Sequence, residues 1–90
     1  METSIKEVLS AIKRGIITED DLVGSVVINV STGKGRVTKI IDGVFHIYIG
    51  GIDKLSRKVR AEALLDTRKW KAIQISDEIY SRIKSGPVNV

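Results

Sequence analysis

The sequence lacks cysteine and is poor in aromatic residues, with one Trp, one Phe and two Tyr among its 90 residues. Without cysteine there are no disulfides, thiolate nucleophiles or thiolate metal sites, so packing alone must hold the chain, as suits a reducing cytoplasm. No apolar run approaches the roughly 18 residues that a membrane-spanning helix needs, and no basic and apolar signal peptide opens the chain. We therefore expect a cytoplasmic protein without a membrane partner.

Positive charge is concentrated in the middle of the chain. The length and a hydrophobic fraction of 42% indicate one globular domain, and the formal net charge is +4. Residues 1–30 carry three bases and five acids, residues 31–60 seven bases and two acids, and residues 61–90 five bases and four acids. Such a local field favours polyanions or acidic protein surfaces, although a solvated lysine-rich surface accounts for it equally well.

Capping signals and helical spacing predict three helices. The pattern Ser-Ile-Lys-Glu has the form of a capping box and opens a helix over residues 4–14. Thr18 and the three acids after it predict a second helix of about one turn, and Ser76 starts a last helix through Lys84. A helix-turn-helix is disfavoured, because the second helix is short and acidic where DNA phosphates would lie.

Strands are predicted in the middle of the chain. Residues 26–30 are rich in β-branched side chains and predict a first strand. After a glycine-rich loop over residues 31–35, a second strand is expected over 36–41, with Val, Lys and Ile alternating with Arg, Thr and Ile. The Asp-Gly pair at 42–43 is a strong signal for a type I′ hairpin turn, and residues 44–49 form the returning strand.

The stretch that follows allows two interpretations. In the first, strands over residues 56–61 and 69–75 flank a short helical turn over 62–66. In the second, one helix covers Leu55 to Leu65 or Ala61 to Ile73. We favour the strands, because two paired strands alone are marginal and closing a barrel removes exposed edges.

These elements predict a mainly β fold with flanking helices, of the α+β class. Residues 24–75 are expected to form a five-stranded SH3-like barrel, preceded by a helical segment over 1–23. A C-terminal helix over 76–86 and a tail over 87–90 complete a single domain.

The sequence offers no clear catalytic or metal-binding set. His46 is the only histidine, and strand alternation places it beside Tyr48 on the outer face, without the partners that a metal site or a nucleophile needs. The acids at 19–21 lack the ligand spacing of an EF-hand loop. We therefore expect no catalytic residue, metal or cofactor, and no enzymatic activity.

Two groups of bases are candidate nucleic-acid contacts. One lies on and after the glycine-rich loop, and the other lies before and around Trp70, whose ring would stack on a base or, more simply, belong to the core. The two groups are expected to share one basic face. The candidate nucleic-acid-binding residues are Lys34, Arg36, Lys39, Lys54, Arg57, Lys58, Arg60, Arg68, Lys69 and Lys71.

Residues 22–49 resemble the opening strands of Tudor-like and KOW-like small barrels. The shared features are Gly24 before the first strand, the Gly-x-Gly-x-Val segment that starts at Gly33, and the alternating Phe-His-Ile-Tyr-Ile of the third strand. CarD-type transcription regulators and the C-terminal Tudor-like domain of UvrD-type helicases carry this layout. The resemblance implies a barrel and partners such as RNA polymerase, ribosomal components or nucleic acid, and it transfers no binding residue. The N-terminal helix and the missing aromatic cage depart from the pattern.

Two functional hypotheses follow. The first is a nucleic-acid-binding module, directed at the backbone of DNA or RNA, in transcription or nucleic-acid handling. The second is a protein-interaction module that docks on RNA polymerase or another large complex through an exposed sheet edge, with Ile40, Val44 and Tyr48 as contacts. A homodimer formed through a strand edge or the terminal helices is compatible with both.

Overall fold

An antiparallel sheet of six strands forms the centre of the computed structural model, which describes residues 1–50 and 55–86. The strands are β1 (Glu2–Thr3), β2 (Val26–Asn29), β3 (Gly33–Ile41), β4 (Val44–Ile49), β5 (Leu55–Arg60) and β6 (Trp70–Gln74). The α-helices of these residues are α1 (Ile5–Lys13), α2 (Ala61–Leu64) and α3 (Asp77–Ser85), and a 3₁₀ helix spans Glu19–Leu22. The candidate contact Lys54 and the predicted tail over 87–90 lie outside the described residues.

The strand order is β1-β6-β2-β3-β4-β5, and every neighbouring pair is antiparallel. Strands β2 to β5 form a meander, and β6 returns to pair with β2 on its other side. The sheet therefore has one strand more than the five predicted, and within the two described ranges no pairing of β1 with β5 closes it into a barrel. Sequence patterns miss β1 because Glu2 and Thr3 are too short and polar a pair to signal a strand; β6 supplies their pairing.

Side-chain caps start the helices where the sequence predicts them. Ser4 Oγ accepts a hydrogen bond from the Glu7 N–H at 3.2 Å. Thr18 and Asp21 form a reciprocal capping box, with hydrogen bonds of 2.9 and 3.4 Å. Ser76 Oγ caps α3 by accepting a backbone N–H at 3.3 Å. The three predicted helices are confirmed, with ends that differ by about a residue.

An asparagine starts the turn between β2 and β3, and a glycine completes it. Asn29 Oδ1 accepts the N–H groups of Ser31 and Thr32 at 2.9 and 3.1 Å, which is an Asx turn. Gly33, which has a φ angle of 82°, completes the turn and already pairs with Asn29 at the start of β3. The prediction of a loop was therefore wrong for residues 33–35.

The hairpin between β3 and β4 has the geometry expected from its sequence. Asp42 and Gly43 have φ angles of 50° and 75°, both positive as a type I′ turn requires. The predicted returning strand over 44–49 is confirmed as β4.

The later part of the chain adopts the strand interpretation. Strand β5 pairs along its whole length with β4, and β6 pairs with β2, with α2 between them. The rival helices over 55–65 and 61–73 were therefore wrong. Local composition allows a helix here, and the long-range pairing with β4 and β2 overrides it.

The core lies between one face of the sheet and α1. Phe45 and Ile47 of β4 are fully buried, as are Val8 of α1 and Leu22 of the 3₁₀ helix. Trp70 is only 6% exposed and belongs to this core, which confirms the simpler interpretation of its role. We call the core-facing side of the sheet the inner face and the opposite side the outer face.

Gly35 occupies an inner-face position where no side chain fits. A Cβ atom placed on Gly35 would lie 2.5 Å from Ile47 Cγ2 and 3.3 Å from Ile49 Cγ1. Both neighbours are buried and β-branched, so they have little freedom to move away. The glycine thus allows β3 and β4 to pack closely in the middle of the sheet.

Gly35→Ala is therefore expected to destabilise the fold by about 1–3 kcal/mol, the usual cost of overpacking. Gly50→Ala is the matched control, because the nearest atom to its added Cβ is 4.0 Å away, and it should change stability by less than about 0.5 kcal/mol. Urea unfolding of both variants measures the difference. Equal stability of the two variants would show that the close approach at Gly35 is not a constraint.

Candidate functional site

Strand β4 separates apolar from polar side chains by strict alternation. Phe45, Ile47 and Ile49 are buried on the inner face, whereas His46 and Tyr48 lie on the outer face. His46 is half-buried and Tyr48 is 38% exposed. The predicted position of His46, on the outer face beside Tyr48, is confirmed.

A bulge in β3 changes which of its side chains reach the outer face. Val37 pairs with Ile47, but the next pair is Lys39 with His46, so Thr38 is an extra residue without a partner. The Thr38 hydroxyl donates a hydrogen bond to the His46 carbonyl at 3.1 Å, which holds the bulge in place. As a result Lys39 lies on the outer face.

The predicted alternation of β3 was wrong beyond Val37 for the same reason. Uninterrupted alternation places Lys39 and Ile41 on the side of Val37, and Ile40 with the outward residues. In the structure Ile40 packs against the core, whereas Ile41 is 50% exposed. A one-residue shift in register transfers every later side chain to the opposite face.

Strand pairing gathers bases around β4 on the outer face. Lys39, His46 and Lys58 form one row across β3, β4 and β5, and Arg60 lies opposite Val44 in the next row. Directly paired residues on one face have Cβ atoms about 4.5–5.5 Å apart. We define the basic face as Lys34, Arg36, Lys39, Lys58 and Arg60, all of which are exposed.

Within the described part of the chain, the five side chains of the basic face form no ion pair with an acid. Throughout residues 1–50 and 55–86, no carboxylate lies within 4.0 Å of a nitrogen of these five side chains. The ion pairs of this part of the chain involve other bases: Arg82 with Asp21 and Glu78, Lys84 with Glu7, Arg68 with Asp66, and the N-terminal ammonium with Asp77. The basic face is therefore an open positive surface.

The pKa of His46 is lowered by its surroundings on the outer face. Partial burial lowers the pKa of the imidazole, and the positive charges of Lys39 and Lys58 lower it further. Protonation would add a third positive charge to a row that already holds two. The imidazole is therefore held in its neutral form to a lower pH than a free histidine.

The other candidate contacts do not join this surface. Arg57 pairs with Ile47 and so lies on the inner side of β5, although it is exposed. Arg68 is held by Asp66 at 3.2 Å, which lowers the pKa of that carboxyl group. Lys69 and Lys71 flank Trp70 at the start of β6, and β2, β3 and β4 separate β6 from β5 in the sheet. Of the nine described candidates that were expected to share one face, five lie on the basic face and the other four lie elsewhere.

The remaining chemistry of the described residues is sparse. Residues 1–50 and 55–86 contain no cluster of three or more His, Asp or Glu side chains that could hold a metal ion. None of the helices in these ranges is long and apolar enough to cross a membrane.

Charge substitutions beside His46 should change its pKa. Lys39→Gln and Lys58→Gln are each expected to raise the pKa of His46, because each removes a positive neighbour that disfavours protonation. Lys34→Gln is the control, since Lys34 pairs with Ile28 rather than with His46. An NMR titration can follow the single histidine directly. An unchanged pKa in both Lys39→Gln and Lys58→Gln would contradict the cross-strand row.

No protein-family model, curated protein or solved structure matches this chain. The geometry and charge of the outer face are therefore the features of the molecule that bear on its function.

Proposed function

We propose that the protein is a small non-enzymatic module that binds nucleic acid, DNA or RNA, through its sugar–phosphate backbone, in transcription or nucleic-acid handling. The observation that supports the proposal is the basic face: five bases on one side of three adjacent strands, without a carboxylate partner among the described residues. Lysine and arginine side chains that lack internal partners are free to contact phosphate oxygens.

The size of the basic face suits a short stretch of backbone. Strands β3 to β5 span about 10 Å, from a strand spacing of about 4.8 Å. The five side chains of this face can contact at most about five phosphates, one for each side chain. Contacts of this kind carry no sequence information by themselves, and we therefore propose backbone-directed binding with little sequence preference.

The row formed by Lys39, His46 and Lys58 also favours a polyanionic ligand. Lys39 and Lys58 lie on either side of His46, and after partial burial the repulsion by their positive charges is a cause of the lowered pKa of His46. A bound phosphate would relieve it and release condensed counterions from the nucleic acid.

Affinity is expected to fall steeply with salt, with a log–log slope of about −2.7 to −4.5 on duplex DNA for three to five phosphate contacts. Lys39→Gln and Lys58→Gln should each reduce the magnitude of the slope by about 0.9. Lys13→Gln removes the same charge from α1, away from the outer face, and should leave the slope unchanged. Fluorescence anisotropy over a salt series measures all four proteins. If the three variants behave alike, the basic face is not the binding surface.

A second candidate function, docking on a protein complex such as RNA polymerase, is favoured by the edge of the sheet. The Ala61 N–H donates to the Gly43 carbonyl at 2.9 Å. Since hydrogen-bonded pairs alternate in antiparallel strands, the backbone groups of Ser56, Lys58 and Arg60 point away from β4. They are positioned to pair with an added strand, and the flanking bases favour an acidic one.

The residues predicted for such docking are distributed differently. Ile40 packs against the core, and Val44 and Tyr48 lie on β4, which is an interior strand. A partner strand would therefore be added at β5.

The substitution Lys58→Pro distinguishes the two proposed functions. Lys58→Pro removes an outward N–H at an edge strand, where proline is tolerated, and Lys58→Gln removes the same charge but keeps the N–H. If docking through β5 is the function, a protein partner should survive nuclease treatment, bind Lys58→Gln and be lost with Lys58→Pro. If nucleic-acid binding is the function, proteins captured with the module should disappear after nuclease treatment.

A further inference from the structure

We propose that the ligand of the basic face is single-stranded nucleic acid, whose unpaired nucleobases stack on Tyr48 and His46. This inference rests on the proposed nucleic-acid function and goes beyond it by naming the form of the ligand. The observation that carries it is the position of two rings on β4: His46 lies between Lys39 and Lys58, and Tyr48 lies opposite Arg36.

Tyr48 is placed unlike the other aromatic side chains of the described residues. Phe45 is 1% exposed and Trp70 is 6% exposed, both within the core. Tyr80 is half-buried, and the Lys84 ammonium lies 5.3 Å from the centre of its ring. Tyr48 is 38% exposed on the outer face, so part of its side chain is accessible to a ligand.

The neighbours of Tyr48 match the chemistry of a single strand. Arg36 lies directly opposite Tyr48 on β3, and His46 lies two residues along β4 on the same face. Residues two apart on a strand are separated by about 6.6 Å, which leaves each ring room for its own base. Lys39 and Lys58 flank His46 on either side. Two aromatic rings, one between two lysines and one beside an arginine, suit splayed nucleobases with phosphates beside them.

A duplex would leave this arrangement unused. Its bases are stacked on each other, so they present no open ring surface to Tyr48. Helices α1 and α3, which are long enough to lie in a groove, bury one side against the core and carry acidic first turns with Glu7 and with Asp77 and Glu78. Groove insertion by either helix would bring these carboxylates towards phosphate.

Neutral imidazole at position 46 is consistent with this role. The pKa of His46 is lowered by partial burial and by the two lysines, so near neutral pH the ring is uncharged. A neutral heteroaromatic ring stacks on a base while its neighbours supply the positive charge.

Stacking can be separated from charge at Tyr48. Fluorescence anisotropy with a short labelled oligothymidine, a short labelled oligouridine and a duplex of matched length would be measured for the wild type and three variants. Tyr48→Ala and Tyr48→Leu both remove the aromatic ring, and Tyr48→Leu keeps an apolar side chain on the sheet. Tyr48→Phe keeps the ring and is the matched control. Thermal unfolding establishes that each variant is folded before its affinity is compared.

We expect the wild type to bind at least one single strand more tightly than the duplex at equal salt. Tyr48→Ala and Tyr48→Leu should weaken single-strand binding by about 5- to 150-fold, as the loss of one stacked base does. Tyr48→Phe should bind as the wild type does. The salt slope should stay the same in all three variants, because no phosphate contact is removed.

The inference is overturned if the duplex binds as tightly as both single strands, or if Tyr48→Ala and Tyr48→Leu bind single strands like the wild type. It is also overturned if Tyr48→Phe is as weak as Tyr48→Ala, since the hydroxyl group and not the ring would then be responsible. In these cases the proposed function stands, because the wild type still binds nucleic acid. If the wild type binds neither single strands nor duplex, the proposed function itself fails.

Discussion

The extra residue at Thr38 determines which of the later side chains of β3 lie on the outer face. It interrupts the alternation of β3, so that Val37 and Ile40 both pack inward while Arg36 and Lys39 both point outward. A regular strand would place a lysine beside Val37 in the core, where an unpaired charge is costly, and would expose Ile40. Because of the bulge, a sequence without strict alternation still forms a sheet with one apolar side.

Both faces of the sheet depend on the pairing of β4 with its neighbours. On the inner side, β4 contributes Phe45 and Ile47 to the core and packs against Gly35 with no space to spare. On the outer side, the same register brings Lys39 and Lys58 to His46. The apolar packing that fixes this register therefore also holds two lysines on either side of His46, at an electrostatic cost that water and salt reduce.

Local signals predict the elements, and long-range pairing determines how they meet. The capping residues Ser4 and Ser76 and the Asp-Gly turn are sufficient to place two helices and a hairpin, because each acts within a few residues of chain. The two-residue strand β1 and the bulge at Thr38 have no such local signal, since both are defined by the strand opposite. For the same reason the sequence indicates a basic middle segment, whereas only the register shows that Lys39 joins the outer face and Arg57 does not.

Strand β5 combines two properties that usually conflict. It is the terminal strand of the sheet, with backbone groups directed away from its neighbour, and it carries Arg57, Lys58 and Arg60 in a run of six residues. Positive side chains on a bare edge keep a second copy from pairing with it, which is a common protection against aggregation. Lys58 and Arg60, on which the proposed binding of anions also depends, therefore oppose pairing with a second copy at this edge. Substitutions that remove these positive charges would weaken the proposed anion binding and would also favour self-assembly through this edge.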